Sequence, residues 1–243
     1  MKAIVGCCGF PVARNRYYRR LGAVEVQTTF YRVVRKSTLE RWRREAPDGF
    51  VFALKAFQGV THPKESPTWR RSNVRPRDGH GLLRLTEEVT ESWEVTLEAV
   101  RALSARAVVV QTPPAFRDTS ENVANAIRFF GSIERDDAVV GFEPRGWSPG
   151  SVRRVCEETD VTHVTDPFSA MPVALSSRSV AYFRLHGSPP GKKMYSYTYT
   201  DDDLRTLAMQ LRGVKAEEVY VMFNNVTMFD DALRFLRVLQ STG

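Results

Sequence analysis

The sequence predicts a single (β/α)8 barrel (TIM barrel). Its 243 residues match the usual size of one such barrel, and eight short β-branched runs alternate with helical patterns along it. Because each parallel strand needs a helical crossover to reach the next, this alternation is typical of a closed barrel. An open doubly wound sheet is the alternative, but no Gly-rich phosphate loop follows any strand. The predicted strands are 3–7, 23–27, 50–55, 106–111, 138–143, 161–165, 180–186 and 219–223.

Helices are predicted between the strands by apolar spacings of three and four residues and by start signals. The longest spans 82–103, and the capping-box spacing of Ser37 and Glu40 predicts another start. Others are predicted at about 120–133, 150–158, 202–212 and 229–240. A long Pro- and Arg-rich loop is predicted at about 59–81, and no linker divides the chain, so 1–243 is expected to form one domain.

The composition excludes several classes of protein. No apolar run approaches the ~18 residues of a membrane span, and no cleavage site follows the N-terminus, so we expect a cytoplasmic protein without a membrane partner. Three cysteines, Cys7, Cys8 and Cys156, cannot build a disulfide framework.

Positive charge is concentrated in residues 11–77, which hold 16 basic and 5 acidic side chains in a chain of formal charge +7. Most of these basic residues are arginines, whose planar fork suits phosphate and carboxylate groups. Such a face attracts nucleic acid or an anionic metabolite; a merely solvated surface is the alternative.

Polar side chains stand at the C-terminal ends of at least five predicted strands. Because successive strand residues point to opposite faces, these side chains lie on the face opposite to the bulky apolar ones, inside the barrel. Active sites of such barrels are built at this end of the strands, and a structural polar plug is the alternative. The residues concerned are Glu25, Gln27, Lys55, Gln111, Glu143, Arg184, His186 and Asn224.

Eight short segments at the strand ends follow one another in order over nearly the whole chain. They are 6–9, 24–31, 52–56 with Thr61 and His62, 110–114, 142–147, Asp166, 184–187 and 223–225. Together they resemble the YecE-like family (domain of unknown function 72). The resemblance implies a TIM barrel and brings no established reaction. Two positions depart from the family pattern, since 9–11 reads Gly-Phe-Pro and Gln27 stands where Asn is common.

Glu143, His186 and Lys55 are the candidate catalytic residues. Glu143, restrained by Pro144, is a candidate general base, or else half of a buried Glu–Arg ion pair. His186 is a candidate proton shuttle, because the ordinary pKa of histidine lies near neutrality. A desolvated Lys55 would act as a base or form a Schiff base, or else pair with Glu25 or Glu143 as a fixed charge.

Further residues are predicted to bind substrate, with Arg145 or Arg184 gripping a phosphate or carboxylate. The loops after strands seven and eight offer Gly187, Ser188, Asn224 and Asn225 to a phosphate. The full predicted substrate-binding set is Glu25, Tyr31, His62, Gln111, Arg145, Trp147, Asp166, Arg184 and Asn224.

No metal ligand or cofactor is assigned. Glu25, Glu143, Asp166, His62 and His186 would in principle supply oxygen and nitrogen ligands to a divalent metal ion. The sequence has no short-spaced ligand motif, however, and Lys55 and Arg184 would repel a cation at the same mouth.

Three functions follow from these patterns. The first is an enzyme that performs acid–base chemistry on an anionic small molecule bearing phosphate or carboxylate. Its class would be a hydrolase, a lyase or an isomerase. The second is a nucleic-acid phosphodiesterase that uses residues 11–77, with or without a metal ion. The third is a non-catalytic binding module.

Overall fold

The computed structural model, which describes residues 1–187 and 195–241, is a closed barrel of eight parallel strands. The strands pair in chain order, and the last pairs with the first. This closure confirms the predicted fold class and rules out the open sheet. Every predicted strand boundary lies within one residue of the observed one. The strands are β1 (Lys2–Cys8), β2 (Ala23–Val26), β3 (Val51–Lys55), β4 (Ala107–Gln111), β5 (Val139–Glu143), β6 (Thr162–Thr165), β7 (Val180–Leu185) and β8 (Glu218–Phe223).

Helices pack on the outside of the barrel and connect most of the strands; two lie between β2 and β3, and the described segment 166–179 between β6 and β7 contains none. The helices are α1 (Arg14–Tyr18), α2 (Thr28–Tyr31), α3 (Lys36–Glu45), α4 (Glu87–Leu103), α5 (Ser120–Ser132), α6 (Pro149–Thr159), α7 (Asp201–Arg212) and α8 (Met228–Ser241). The segment between β3 and α4 is irregular apart from two short 3-10 helices, Gln58–Val60 and Pro67–Arg71.

Two predicted helix starts are wrong. α4 begins at Glu87 rather than at Leu82, because Leu82 and Leu83 have φ values of 60° and 52°, which a right-handed helix does not contain. Thr86 caps α4 instead. α3 begins at Lys36, so Ser37 lies inside its first turn and does not form the predicted capping box.

The strand residues alternate between two apolar clusters, as the sequence pattern predicts. The cluster between the barrel and the helices contains Phe52, Leu54, Phe142, Phe183 and Leu185. The cluster inside the barrel is built mainly of smaller side chains: Ile4, Cys8, Ala23, Val51, Ala53, Ala107, Val109, Val139, Val164, Val180, Tyr182, Tyr220 and Met222. The next inward positions toward the C-terminal end are polar, and the candidate site lies there.

No helix in the described ranges is long and apolar enough to cross a membrane. The three cysteines are buried and unpaired.

Gly6 allows β1 and β2 to approach closely, since a Cβ at this position would lie 2.3 Å from the carbonyl oxygen of Ala23. We expect Gly6→Ala to lower the free energy of unfolding by about 1–3 kcal/mol, measured by urea denaturation. Gly131→Ala in α5 is the control, because nothing lies within 4 Å of its added Cβ. That variant is expected to gain up to about 1 kcal/mol. Equal stability of the Gly6→Ala and wild-type proteins would contradict the close packing.

Candidate active site

A buried ion triad forms the base of the barrel mouth. The Arg184 guanidinium donates to Glu25 through Nη2 (2.9 Å) and Nε (3.1 Å), and to Glu143 through Nη1 (2.6 Å). Tyr182 and Gln27 also donate to Glu25. Arg184 and Glu25 are at most 1% exposed. Their charges are therefore satisfied within the protein, and neither side chain is free to grip a substrate.

A row of polar side chains crosses the mouth beside this triad, and hydrogen bonds link it as far as Glu143. Lys55 Nζ donates to Gln111 Oε1 (2.6 Å), and Gln111 Nε2 donates to Glu143 Oε1 (2.7 Å). Glu143 Oε1 lies 3.5 Å from His186 Nε2. The four side chains come from different strand ends and are 7–8% exposed. The predicted convergence of Lys55, Glu143, Arg184 and His186 is confirmed.

The predicted pairing of Lys55 with Glu25 or Glu143 is wrong. Its ammonium bonds to the neutral amide of Gln111 and lies 3.7 Å from the centre of the Phe30 ring. The amide of Gln111 separates it from Glu143, because the oxygen of that amide accepts from Lys55 while its nitrogen donates to the carboxylate.

The surroundings lower the pKa values of both Lys55 and Glu143, but for different reasons. Burial, together with the nearby charge of Arg184, lowers the pKa of Lys55 to about 7. Burial alone would raise the pKa of Glu143, but the charges of Arg184 and His186 outweigh it and bring that pKa to about 2. At neutral pH, Glu143 is therefore an anion of low basicity, whereas Lys55 exchanges its proton readily. Lys55 is better matched than Glu143 to general base chemistry.

His186 is held in place by its neighbours on the chain and by Asp166. Its backbone N–H donates to Asp166 Oδ2 (2.9 Å), and its Nδ1 lies 3.8 Å from the same oxygen. Gly187 follows with a φ of 90°, where an added Cβ would lie 2.9 Å from the Tyr197 side chain. Within the described ranges, His186 Nε2 is buried without a hydrogen-bond partner. This nitrogen is available to a substrate proton.

A cavity of about 610 Å³ opens beside Glu143 and His186 and extends outward between β6 and α6. Arg145 and Asp166 line its charged end, and the other end is mainly apolar. Its remaining lining residues are Pro144, Gly146, Trp147, Pro149, Val152, His163, Val164, Thr165, Ser169, Ala170, Met171, Val173 and Gly187. This volume suits a small organic ligand.

Sequence reasoning missed His163 and Thr165, which reach the cavity from the outward face of β6. Burial lowers the pKa of His163 to about 4, and its Nδ1 accepts from the Val173 backbone N–H (3.2 Å). Thr165 Oγ1 is buried and unpartnered among the described residues. The available signal was two polar residues on a strand face that is apolar in β3, β5 and β7.

Arg145 is the cation at the mouth that can receive an anion. It is half-buried, and its Nη2 donates to the Tyr195 hydroxyl (3.0 Å). In residues 1–187 and 195–241 it has no carboxylate partner, whereas Arg184 has two. Of the two arginines predicted to grip an anion, the geometry therefore favours Arg145.

The other predicted binding residues divide between the cavity and its surroundings. Trp147 forms part of the cavity wall. Tyr31, stacked under Arg71 at 3.7 Å, and His62, packed on Phe30 at 5.0 Å, are not among the cavity-lining residues. Burial lowers the pKa of His62 to about 3, so its ring is neutral.

Of the described residues predicted to bind phosphate in the loops after β7 and β8, only Gly187 lines the cavity. Asn224 is half-buried directly after β8 and does not line the cavity. Asn225 donates to Asp231 and to the Tyr197 carbonyl, and so holds α8 in place. Ser188 lies outside the described residues.

In the described ranges, five of the sixteen basic side chains of residues 11–77 are paired with carboxylates, and nucleic-acid binding by this region stays a prediction. Arg70 and Arg75 are exposed. The paired residues include Arg14 with Glu45, Lys36 with Glu40, Lys64 with Asp78 and Arg77 with Glu91. No group of three or more His, Cys, Asp or Glu side chains in the described part of the chain is arranged to hold a metal ion.

The fold and the strand-end residues define a TIM-barrel protein with a polar site at the C-terminal mouth of the barrel. The family model "Protein of unknown function DUF72" matches residues 13–242, so the chain belongs to this family. YecE-like is a name consistent with it. The expectation drawn from the sequence motifs is thereby confirmed.

Relatives support the family and the fold. UPF0759 protein YunF of Bacillus subtilis is 25% identical over 240 residues, covering 86% of this chain and 79% of that protein. The crystal structure of the DUF72 protein EF0366 of Enterococcus faecalis superposes with a TM-score of 0.74 at 20% identity (98% and 95% coverage). The structure of TM1631 of Thermotoga maritima gives 0.72 at 19% (99% and 100%). More distant barrels, such as D-psicose 3-epimerase (13%, TM-score 0.61) and endonuclease IV of Thermus thermophilus (14%, 0.53), share only the fold.

Proposed function

We propose that this chain is an enzyme that performs acid–base chemistry on a small anionic substrate at the barrel mouth. The observation that carries the proposal is the row from Lys55 through Gln111 and Glu143 to His186, which ends beside a cavity of about 610 Å³. A structural plug needs neither a cavity nor an unpartnered histidine nitrogen. Arg145 adds a cation free of carboxylate partners within the described ranges.

The geometry gives each of these residues a role in the proposed chemistry. Arg145 binds the phosphate or carboxylate of the substrate. His186 Nε2, which lines the cavity, transfers a proton to or from the substrate. Glu143 stays ionised and stabilises the protonated imidazole 3.5 Å away. Lys55 is not among the cavity-lining residues; it holds the Gln111 amide that donates to Glu143 and so positions this carboxylate.

Anion binding is the first part of the test. We expect inorganic phosphate to bind the wild-type protein and Arg145→Gln to weaken binding at least about tenfold, as measured by isothermal titration calorimetry. Arg205→Gln is the control, because Arg205 is an exposed arginine of α7 outside the cavity. Equal phosphate affinity in the Arg145→Gln and wild-type proteins would overturn the assignment of Arg145.

Turnover is the second part of the test. The wild-type protein, incubated with a mixture of phosphorylated and carboxylated metabolites, is expected to consume one of them, with mass spectrometry as the readout. His186→Gln should slow this consumption by about 10²–10⁴-fold, the usual contribution of a general acid or base. Phosphate binding without consumption of any such metabolite would favour the binding-module hypothesis.

A further inference from the structure

We propose that the ligand of this site carries an apolar arm, a ring or a branched alkyl group, attached to its anionic group. The proposal rests on the proposed function, because it takes Arg145 as the anchor of the anion. It concerns the apolar part of the cavity lining, which includes Trp147, Val152 and Val173. We call this part the apolar end.

The apolar end is rigid and already formed. The Trp147 ring stacks on Phe116 (centroids 5.3 Å apart, interplanar angle 21°) and meets the edge of Phe142 at 5.6 Å. Its Nε1 donates to the Phe116 carbonyl at 2.7 Å, so the indole has no unsatisfied polar atom. Val152 is a buried residue of α6. A flat, fixed apolar wall binds an apolar group without first having to become ordered.

The size of the cavity excludes a bare anion as its whole occupant. About 610 Å³ lies within the range of sites that enclose drug-sized organic ligands. The charged lining residues are grouped, since Glu143 and Asp166 lie 3.5 and 3.8 Å from His186 and Arg145 follows Glu143 by two residues. An anion held there leaves the apolar end unfilled, and filling it removes apolar surface from water.

Thr165 also lines this cavity, and its hydroxyl is buried without a hydrogen-bond partner among residues 1–187 and 195–241. Since a buried polar group without a partner destabilises the protein, the hydroxyl marks a point where a ligand atom would form a hydrogen bond. The site thus fits an amphipathic anion with one polar substituent along its arm.

Three probes that share one anion test the proposal: inorganic phosphate, phenyl phosphate and 1-naphthyl phosphate. We expect both aryl phosphates to bind at least about tenfold more tightly than inorganic phosphate, because each buried methylene-sized group adds roughly fourfold. Calorimetry gives the affinities. Tryptophan fluorescence gives a second readout, and comparison with Trp147→Phe identifies the part of the signal change that comes from Trp147.

Two variants, Ala170→Trp and Val152→Phe, narrow the apolar end. We expect them to abolish the tighter binding of the aryl phosphates and to keep the affinity for inorganic phosphate. Ala124→Trp, at an exposed position of α5, is the matched control and should keep the tighter binding. Two results would overturn the proposal: aryl phosphates that bind no tighter than phosphate, or tighter binding that survives both narrowing variants. Failure of the proposed function would give a different result from failure of this proposal, because inorganic phosphate would then bind equally to the wild-type and Arg145→Gln proteins.

Discussion

Replacing Arg184 with methionine is expected to lower the free energy of unfolding by about 3–5 kcal/mol. The substitution leaves Glu25 and Glu143 ionised and buried without the cation that both of them contact. Urea denaturation at neutral pH measures the loss. Of the single substitutions considered for this protein, this one has the largest expected effect on stability.

Two comparisons separate this effect from a general loss of packing. Arg101→Met removes a partly exposed ion pair with Asp136, and we expect it to cost less than about 1 kcal/mol. Adding Glu25→Gln and Glu143→Gln to Arg184→Met should recover part of the loss, because the uncompensated charges are then gone. A cost for Arg184→Met no greater than that for Arg101→Met would show that the triad is not a buried charge network.

The pH dependence of stability should differ between the wild-type protein and Lys55→Met. Lys55 in the folded protein releases its proton near pH 7, whereas an ordinary lysine of the unfolded chain holds it up to about 10.5. Between these values unfolding takes up a proton, so the contribution of Lys55 to the free energy of unfolding rises with pH. The expected slope is about 1.4 kcal/mol per pH unit relative to the variant. Below pH 7 the difference should be constant.

Urea denaturation of both proteins at pH 6, 7, 8 and 9 measures this difference. Because other titrating groups are common to the two proteins, subtraction removes their contributions. Lys215→Met provides the control, since Lys215 is exposed. The free energy of unfolding of this variant, plotted against pH, should run parallel to that of the wild-type protein. Parallel curves for Lys55→Met and the wild-type protein would mean that Lys55 keeps an ordinary proton affinity.

The strands could be located from sequence because buried parallel strands form short, nearly continuous apolar runs rich in β-branched residues and bounded by turns. The helix starts were harder to locate. Leu82 and Leu85 continue the apolar spacing of α4, but backbone conformation at Leu82 and Leu83 interrupts the helix before Thr86 caps it. Periodicity describes side chains and carries no information about φ.

For the candidate site, the sequence could predict which strand-end side chains point into the barrel. That prediction was enough to bring Lys55, Glu143, Arg184 and His186 together. The predicted strand order places Lys55 between Glu25 and Gln111 but does not decide which of the two its ammonium contacts, so Gln111 is not predicted as its partner. Nor could the sequence predict the cavity, since His163 and Thr165 point away from the barrel interior and only tertiary packing against α6 brings them to the ligand side.

The strand-end side chains and one part of the cavity wall belong to different kinds of chain segment. Lys55, Gln111 and Glu143 are the last residues of strands, whereas Ala170 and Met171 lie in the loop after β6. Loops tolerate substitution and insertion, while barrel strands do not. The loop after β6 can therefore change in sequence and length while the strand ends that carry Lys55, Gln111 and Glu143 stay the same.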